Sequence, residues 1–145
     1  MARIKLTIPA KKIFTATIPV RITDINYGNH LGNDALVSII HEARIQWLAS
    51  AGYTELSVEG AALIMSDLAV EYKNESFYGD LLTIQISIDE ISKISFEIYY
   101  EIVTTREEKI ILIANAKTGM VCYDYDVKKV IEINKKLKIF LQKIL

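Results

Sequence analysis

Between residues 24 and 42 the sequence gathers both of its histidines, His30 and His41, with three carboxylates, Asp24, Asp34 and Glu42, and three amides, Asn26, Asn29 and Asn33. Carboxylates and imidazoles accept and donate protons near neutrality, whereas an amide holds a water or donates to a carbonyl without taking a proton. Every one of these residues also has a structural reading. Asp24 fits an Asx turn as well as a catalytic or orienting role, and Asn26, Asn29 and His30 fit an ordered loop as well as a site. Asp34 fits a charge placed to complement a helix dipole as well as a base. His41 and Glu42 fit an interface pair or a solvated face. With two histidines and one cysteine, no Cys/His/carboxylate cluster has ligand spacing, so no metal is expected.

The segment Asp24 to Asn33 is rich in residues that favour turns and tolerate positive φ, and it reads as an ordered loop. Before it, Phe14, Ala16, Ile18, Val20 and Ile22 alternate with polar residues, the period of a half-buried strand, in which Pro19 predicts an edge or a bulge. After it, Leu36, Ile39, Ile40, Ala43 and Trp47 fall on one face at helical spacing from Asp34 to about Ala51, with Asn33 as N-cap and Gly52 as stop. Val37, Leu48 and the stem of Arg44 flank that face, which predicts a central helix. On the opposite side Asp34, Ser38, His41 and Glu42 form a polar stripe suited to an interface cleft. Four further strand-like runs follow, roughly Ile64 to Lys73, Leu81 to Ile91, Ile94 to Thr105 and Lys109 to Tyr123, and their short connections predict antiparallel pairing. A last helix, Lys135 to Leu145, starts at the cap Asn134 and carries Leu137, Phe140, Leu141 and Ile144. The predicted class is α+β, one sheet of about five strands around one long helix with a short C-terminal helix, in a single domain over 1–145.

Composition narrows the functions. The 145 residues are 51% hydrophobic, enough for a core without disulfides, and the single Cys122 sits in an apolar run as a small buried hydrophobe. A formal charge of −1, with no basic stripe carrying interleaved aromatics, argues against nucleic acid. No stretch reaches the ~18 apolar residues of a membrane-spanning helix, and Met1 to Ala10 lacks the pattern of an export signal. A cytoplasmic location is expected. The lysines at 128, 129, 135, 136 and 138 read as a solvated face rather than as a phosphate-steering patch.

The run Val20-Arg21-Ile22-Thr23-Asp24-Ile25-Asn26-Tyr27-Gly28-Asn29-His30-Leu31-Gly32-Asn33, then His41-Glu42-Ala43-Arg44, resembles the 4-hydroxybenzoyl-CoA thioesterase-like family of hot-dog-fold acyl-CoA thioesterases. Members typically read VR-x-x-D-x-D-x-x-GHVNN and then EEAR. Tyr72 with Phe77-Tyr78-Gly79-Asp80-Leu81 resembles the family's Y…YGD-x-L turn, and Val121-Cys122-Tyr123-Asp124 resembles its closing strand. The resemblance implies a hot-dog fold, a homodimer or homotetramer, and an acyl-CoA or acyl carrier protein thioester bound at a subunit interface near the helix N-terminus. Unpaired N–H groups there suit a carbonyl oxygen that becomes an oxyanion, a donor being worth roughly 2.7–4 kcal/mol in the barrier.

Set in that register, Asn26, His30 and Asp34 are the expected catalytic residues: Asn26 positions water or the thioester, His30 supports the loop or the developing charge, and Asp34 is the base. Asp24, Asn29, Asn33 and Glu42 are the expected substrate-binding residues, and no dissociable cofactor is needed. Two departures stand out. Asn26 replaces the second aspartate of D-x-D, so another carboxylate substitutes or the activity is not ordinary hydrolysis, and Asn29 stands at the glycine of the GH pair. Asp24-Ile25-Asn26 is also similar to the D-x-N of hot-dog enoyl-CoA hydratases, and a non-catalytic binder of acyl-CoA or acyl carrier protein is the third possibility.

Overall fold

In the computed structural model, which describes residues 2–145, an 18-residue helix lies against one antiparallel sheet. Met1, part of the stretch read above for an export signal, lies outside the described residues. In chain order the elements are β1 (Phe14–Pro19), a 3-10 turn (Ile22–Asp24), α1 (Asn33–Ser50), β2 (Ala62–Tyr72), β3 (Leu81–Asp89), β4 (Ser95–Arg106), β5 (Lys109–Asp124), β6 (Lys129–Ile131) and α2 (Lys135–Ile144). The sheet order is β1-β3-β4-β5-β2, with β6 added alongside β5. All pairings are antiparallel.

The sheet of about five strands expected from the sequence has six, the sixth being short. Three-residue β6 is too short to show a period of two, and it pairs with Cys122–Asp124, just beyond Val121, which lies opposite the first residue of β4, Ser95. β1 is an edge strand as Pro19 requires, but it stops at Pro19, and Ile22, the last member of the alternation, turns out to solvent in the 3-10 turn. On the inner face Ile84, Ile86 and Ile88 of β3 and Phe96, Ile98, Tyr100 and Ile102 of β4 are buried, and they meet the predicted helix face of Leu36, Ile39, Ile40, Ala43 and Trp47.

The ends of α1 follow from local chemistry. Gly52 takes φ +83°, and the N–H groups of Gly52 and Tyr53 return to the carbonyls of Ala49 and Leu48 at 2.9 and 2.8 Å, a Schellman ending that only a residue without a Cβ adopts freely. At the other end Asn33 is the first helical residue and Gly32 the N-cap. α2 starts as expected: the Asn134 side chain accepts from the Leu137 N–H at 2.8 Å. Its Leu137 and Leu141 are fully buried, and Phe140 stacks on Trp47 at 6.4 Å, closing the C-terminal half of α1.

Arg44 goes deeper than a flanking stem. Its whole side chain is buried because Nη1 donates to the Tyr100 hydroxyl at 3.2 Å, which in turn pairs with Thr118 at 2.8 Å, while Nε lies 3.5 Å from Glu55. A buried guanidinium needs such partners.

Candidate active site at the N-terminus of the central helix

The loop into α1 is a tight structure held by its own backbone. Residues 25 and 31 bridge each other, the Asn26 N–H donates to the His30 carbonyl at 3.0 Å, and the Asn29 N–H returns to the Asn26 carbonyl at 3.1 Å. Asn29 sits at φ +66°, a left-handed position that asparagine tolerates better than most side chains. Two anchors fix the loop to its surroundings: the Leu31 N–H on the Ser76 carbonyl at 2.7 Å, and the Gly32 N–H on the Asp24 carbonyl at 2.9 Å.

This loop, the first turn of α1 and the end of β2 line an open cavity of about 860 Å³. Its lining includes Asn26, His30, Asn33 and Asp34 from the loop and helix, and Tyr72 to Ser76 from the end of β2 and beyond. Leu31, Leu36 and Ile113, all buried, supply an apolar floor.

Within the cavity the amides and acids are aimed by specific contacts. The Gly28 N–H donates to Asn26 Oδ1 at 2.9 Å, so the free end of that amide is the Nδ2 donor. His30 Nδ1 lies 3.3 Å from the Leu31 carbonyl; with the proton on Nδ1, Nε2 is the acceptor. A Cβ built on Gly28 would meet His30 Nε2 at 3.1 Å and Asn26 Oδ1 at 3.3 Å, so the missing side chain keeps these groups together. Gly32 does the same for the acid. A Cβ there would lie 2.7 Å from Asp34 Oδ1 and 3.6 Å from the Asn26 Cβ, which places the Asp34 carboxylate folded back over Gly32.

No side chain caps α1, and Asn33 Oδ1 takes only the Asp34 N–H, at 2.8 Å. The uncapped first turn of α1, with Asn33 and Asp34, lines the cavity together with Asn26, so the positive end of the helix dipole borders it. Across the mouth, the Tyr72 hydroxyl donates to the Asn33 carbonyl at 2.9 Å. Burial raises its pKa above that of a free tyrosine, and the Asp34 charge adds to the rise.

Of the seven residues singled out in the sequence, the structure brings four together here: Asn26, His30, Asn33 and Asp34. The other three lie elsewhere. The Asp24 carboxylate is buried and accepts the Arg21 N–H at 2.8 Å, closing the 3-10 turn backwards rather than forming an Asx turn two residues on. Asn29 is at the loop tip, exposed. Glu42 accepts from Gln46 Nε2 at 2.9 Å and borders a separate groove along β1, so the polar stripe of α1 divides. His41 pairs with Glu55 at 2.6 Å.

Sequence reasoning passed over Tyr72, Lys73 and Ser76 as site residues. The signal was present in the Tyr72…Tyr78-Gly79-Asp80 motif, but only the pairing of Tyr72 with Ala114 carries that stretch to the helix N-terminus. Among the described residues no group of three His, Cys, Asp or Glu side chains comes together with the geometry of a metal site.

Comparison with known proteins bears on the family and the fold. Residues 20–141 match the model of the Thioesterase-like superfamily. A protein of Aquifex aeolicus (strain VF5), provisionally named an esterase, is 29% identical over 82 residues, covering 55% of this chain and 62% of that protein's length. Among solved structures, a 1,4-dihydroxy-2-naphthoyl-CoA thioesterase from Synechocystis superposes with a TM-score of 0.76 at 23% identity, over 89% of this chain and 95% of that one. A mutant 4-hydroxybenzoyl CoA thioesterase complexed with 4-hydroxybenzoyl CoA gives a TM-score of 0.78 at 18% identity, over 88% and 96%. At these identities the superpositions establish the hot-dog fold. With the family model spanning most of the chain, the protein belongs to the Thioesterase-like superfamily.

Proposed function

We propose that the protein is an acyl-CoA thioesterase, hydrolysing a thioester of CoA, or of a carrier with the same thiol arm, to the free acid and the thiol. One observation carries the reading: an amide donor, a carboxylate and a helix N-terminus converge on one cavity with an apolar floor. The acyl group lies on Leu36 and Ile113, with its carbonyl oxygen toward Asn26 Nδ2 and the first turn of α1. Water attacks the carbonyl carbon while Asp34 takes its proton. The tetrahedral intermediate then collapses with cleavage of the C–S bond, and the proton held by Asp34 passes to the departing thiolate. Asp34 thus supplies the base that the replacement of the second D-x-D aspartate by Asn26 removes, a role typically worth roughly 10²–10⁴-fold. His30 braces the loop through Leu31 and stands over Gly28.

The hydratase alternative loses ground because the Asp24 carboxylate, its expected acid, is engaged with the Arg21 N–H. We further read the molecule as a homodimer or homotetramer in the cytoplasm. The long edge strand β2 shows Met65 and Leu68 at 43% and 37% exposure, apolar surface on an unpaired edge that a second copy would cover. No helix among the described residues is long and apolar enough to cross a membrane.

The test is thiol release from a panel of short, long and aromatic acyl-CoAs, run beside a 2-enoyl-CoA followed at its enoyl absorbance. Thiol release from at least one member supports the reading. Loss of the enoyl band without thiol would make the protein a hydratase, and binding with no chemistry would make it a carrier.

A further inference from the structure

The cavity is graded from inside to outside. Its floor is apolar and buried, its middle is the helix N-terminus, and its rim carries two features the hydrolytic step does not use. Tyr27, at the loop tip, is fully exposed at 105% of its reference area, and the residue lines the cavity. An aromatic ring left wholly in water contributes nothing to the fold by burial, yet its face is available for stacking. On the β2 side, Lys73 is the one lysine or arginine among the described lining residues. Its ammonium is fixed 2.8 Å from Glu71 Oε2, and Glu71 is itself tied to the N-terminal segment by the Leu6 N–H at 3.2 Å. Two of the three ammonium donors remain for another acceptor.

The acyl group must reach the floor for its carbonyl to meet α1, so whatever touches the rim belongs to the thiol carrier. We propose that Tyr27 and Lys73 recognise the nucleotide end of a CoA-linked substrate, the ring stacking on the base and the ammonium pairing with phosphate. This rests on the thioester reading and sharpens it: the substrate class is CoA-linked rather than carrier-protein-linked, since a carrier protein presents the pantetheine arm without a base.

The experiment measures binding, so it does not depend on turnover. S-acetonyl-CoA keeps the carbonyl but has no scissile acyl–sulfur bond, and S-acetonyl-pantetheine is the same ligand without the nucleotide. Calorimetric Kd values for both are compared in wild type, Tyr27→Ala, Tyr27→Phe and Lys73→Ala. The wild type is expected to favour the CoA ligand by at least about fivefold, the low end of what one base–aromatic stack supplies. Tyr27→Ala and Lys73→Ala each lower that ratio, the latter with a weaker salt dependence, and Tyr27→Phe preserves it. A wild-type ratio near one, or no binding of either ligand, overturns the proposal. So does a Tyr27→Ala effect equal on both ligands, which would place the ring on the acyl or pantetheine part. A changed sedimentation mass in Tyr27→Ala with an unchanged ratio overturns it as well, showing the ring packed on a second copy. If the ratios behave as expected while no acyl-CoA is cleaved, recognition stands and the hydrolytic reading alone fails.

Discussion

Gly32→Ala separates folding from chemistry at this site. The backbone at Gly32, φ −68° and ψ 147°, is ordinary extended geometry that alanine adopts without strain. Restricting the unfolded chain favours alanine by about 0.4–1 kcal/mol, and the poorer N-cap preference of alanine opposes it by a similar amount. Stability should stay within about 1 kcal/mol of wild type, a melting shift of no more than about 4 °C at this chain length. The new methyl, however, lands 2.7 Å from Asp34 Oδ1, where ordinary contact begins at 3.4 Å, so the carboxylate oxygen retreats by about 0.7 Å or rotates away. A displacement near 1 Å at the reacting groups is worth about 10²-fold, so kcat/KM should fall roughly tenfold or more. Gly28→Ala is the comparator: its methyl meets His30 and Asn26 at 3.1 and 3.3 Å, a milder clash, and its loss should be smaller. The assay is steady-state thiol release on the best acyl-CoA, with a thermal melt of the same preparations. A folded Gly32→Ala protein with wild-type kcat/KM would refute the placement of the Asp34 carboxylate in the reaction.

Three other perturbations have defined outcomes. Asp24→Ala removes the acceptor of the Arg21 N–H and should lower stability by about 1–2 kcal/mol in urea unfolding while reducing kcat/KM far less than a change at Asp34; a loss of kcat without a loss of stability would return Asp24 to the chemistry. Cys122 is fully buried and burial pushes its thiol pKa up, so at pH 8 an aromatic disulfide reagent should react only after denaturant is added, and fast labelling of the native protein would show the closing strand to be open. For Asp80, burial opposes ionisation, but the Arg106 guanidinium at 2.6 Å, the Phe77 N–H and the Ser76 hydroxyl outweigh it and hold the pKa below the usual carboxylate range. A depressed folded pKa gives stability that is complete above the unfolded value near ~3.9 and is lost as pH falls through the folded one. The urea midpoint of wild type should therefore drop more between pH 5 and pH 3 than that of Asp80→Asn, and equal drops would remove the pair from acid stability.

The parts of this molecule that could be read from sequence are those governed by local periodicity. The face of α1, the alternation in β3 and β4 and the cap of α2 follow from spacing alone, because the same residues that set the period are the ones buried. The start of α1 was displaced by one residue. Asparagine is a strong N-cap by propensity, yet Gly32 holds that position, where its lack of a side chain accommodates the Asp34 carboxylate. β6 is invisible in the sequence because three residues carry no period and its pairing depends on β5 running past the start of β4 at Ser95.

The site was half legible for a related reason. A loop sequence gives its residue types but not their directions, and the backbone ties of Ile25, Asn26 and Gly32 turn Asp24 inward while Asn26 faces the cavity. Tyr72 was out of reach because its place is set by strand register with β5, more than forty residues away in sequence.

The most direct test is the turnover of Asp34→Asn, which keeps the size and most hydrogen bonding of the side chain but removes its proton-accepting charge. Thiol release from the preferred acyl-CoA should fall by at least roughly tenfold in kcat, the cautious side of the range for loss of a general base, with KM and melting temperature little changed. Wild-type turnover in this variant would contradict the assignment of Asp34 as the group that activates water.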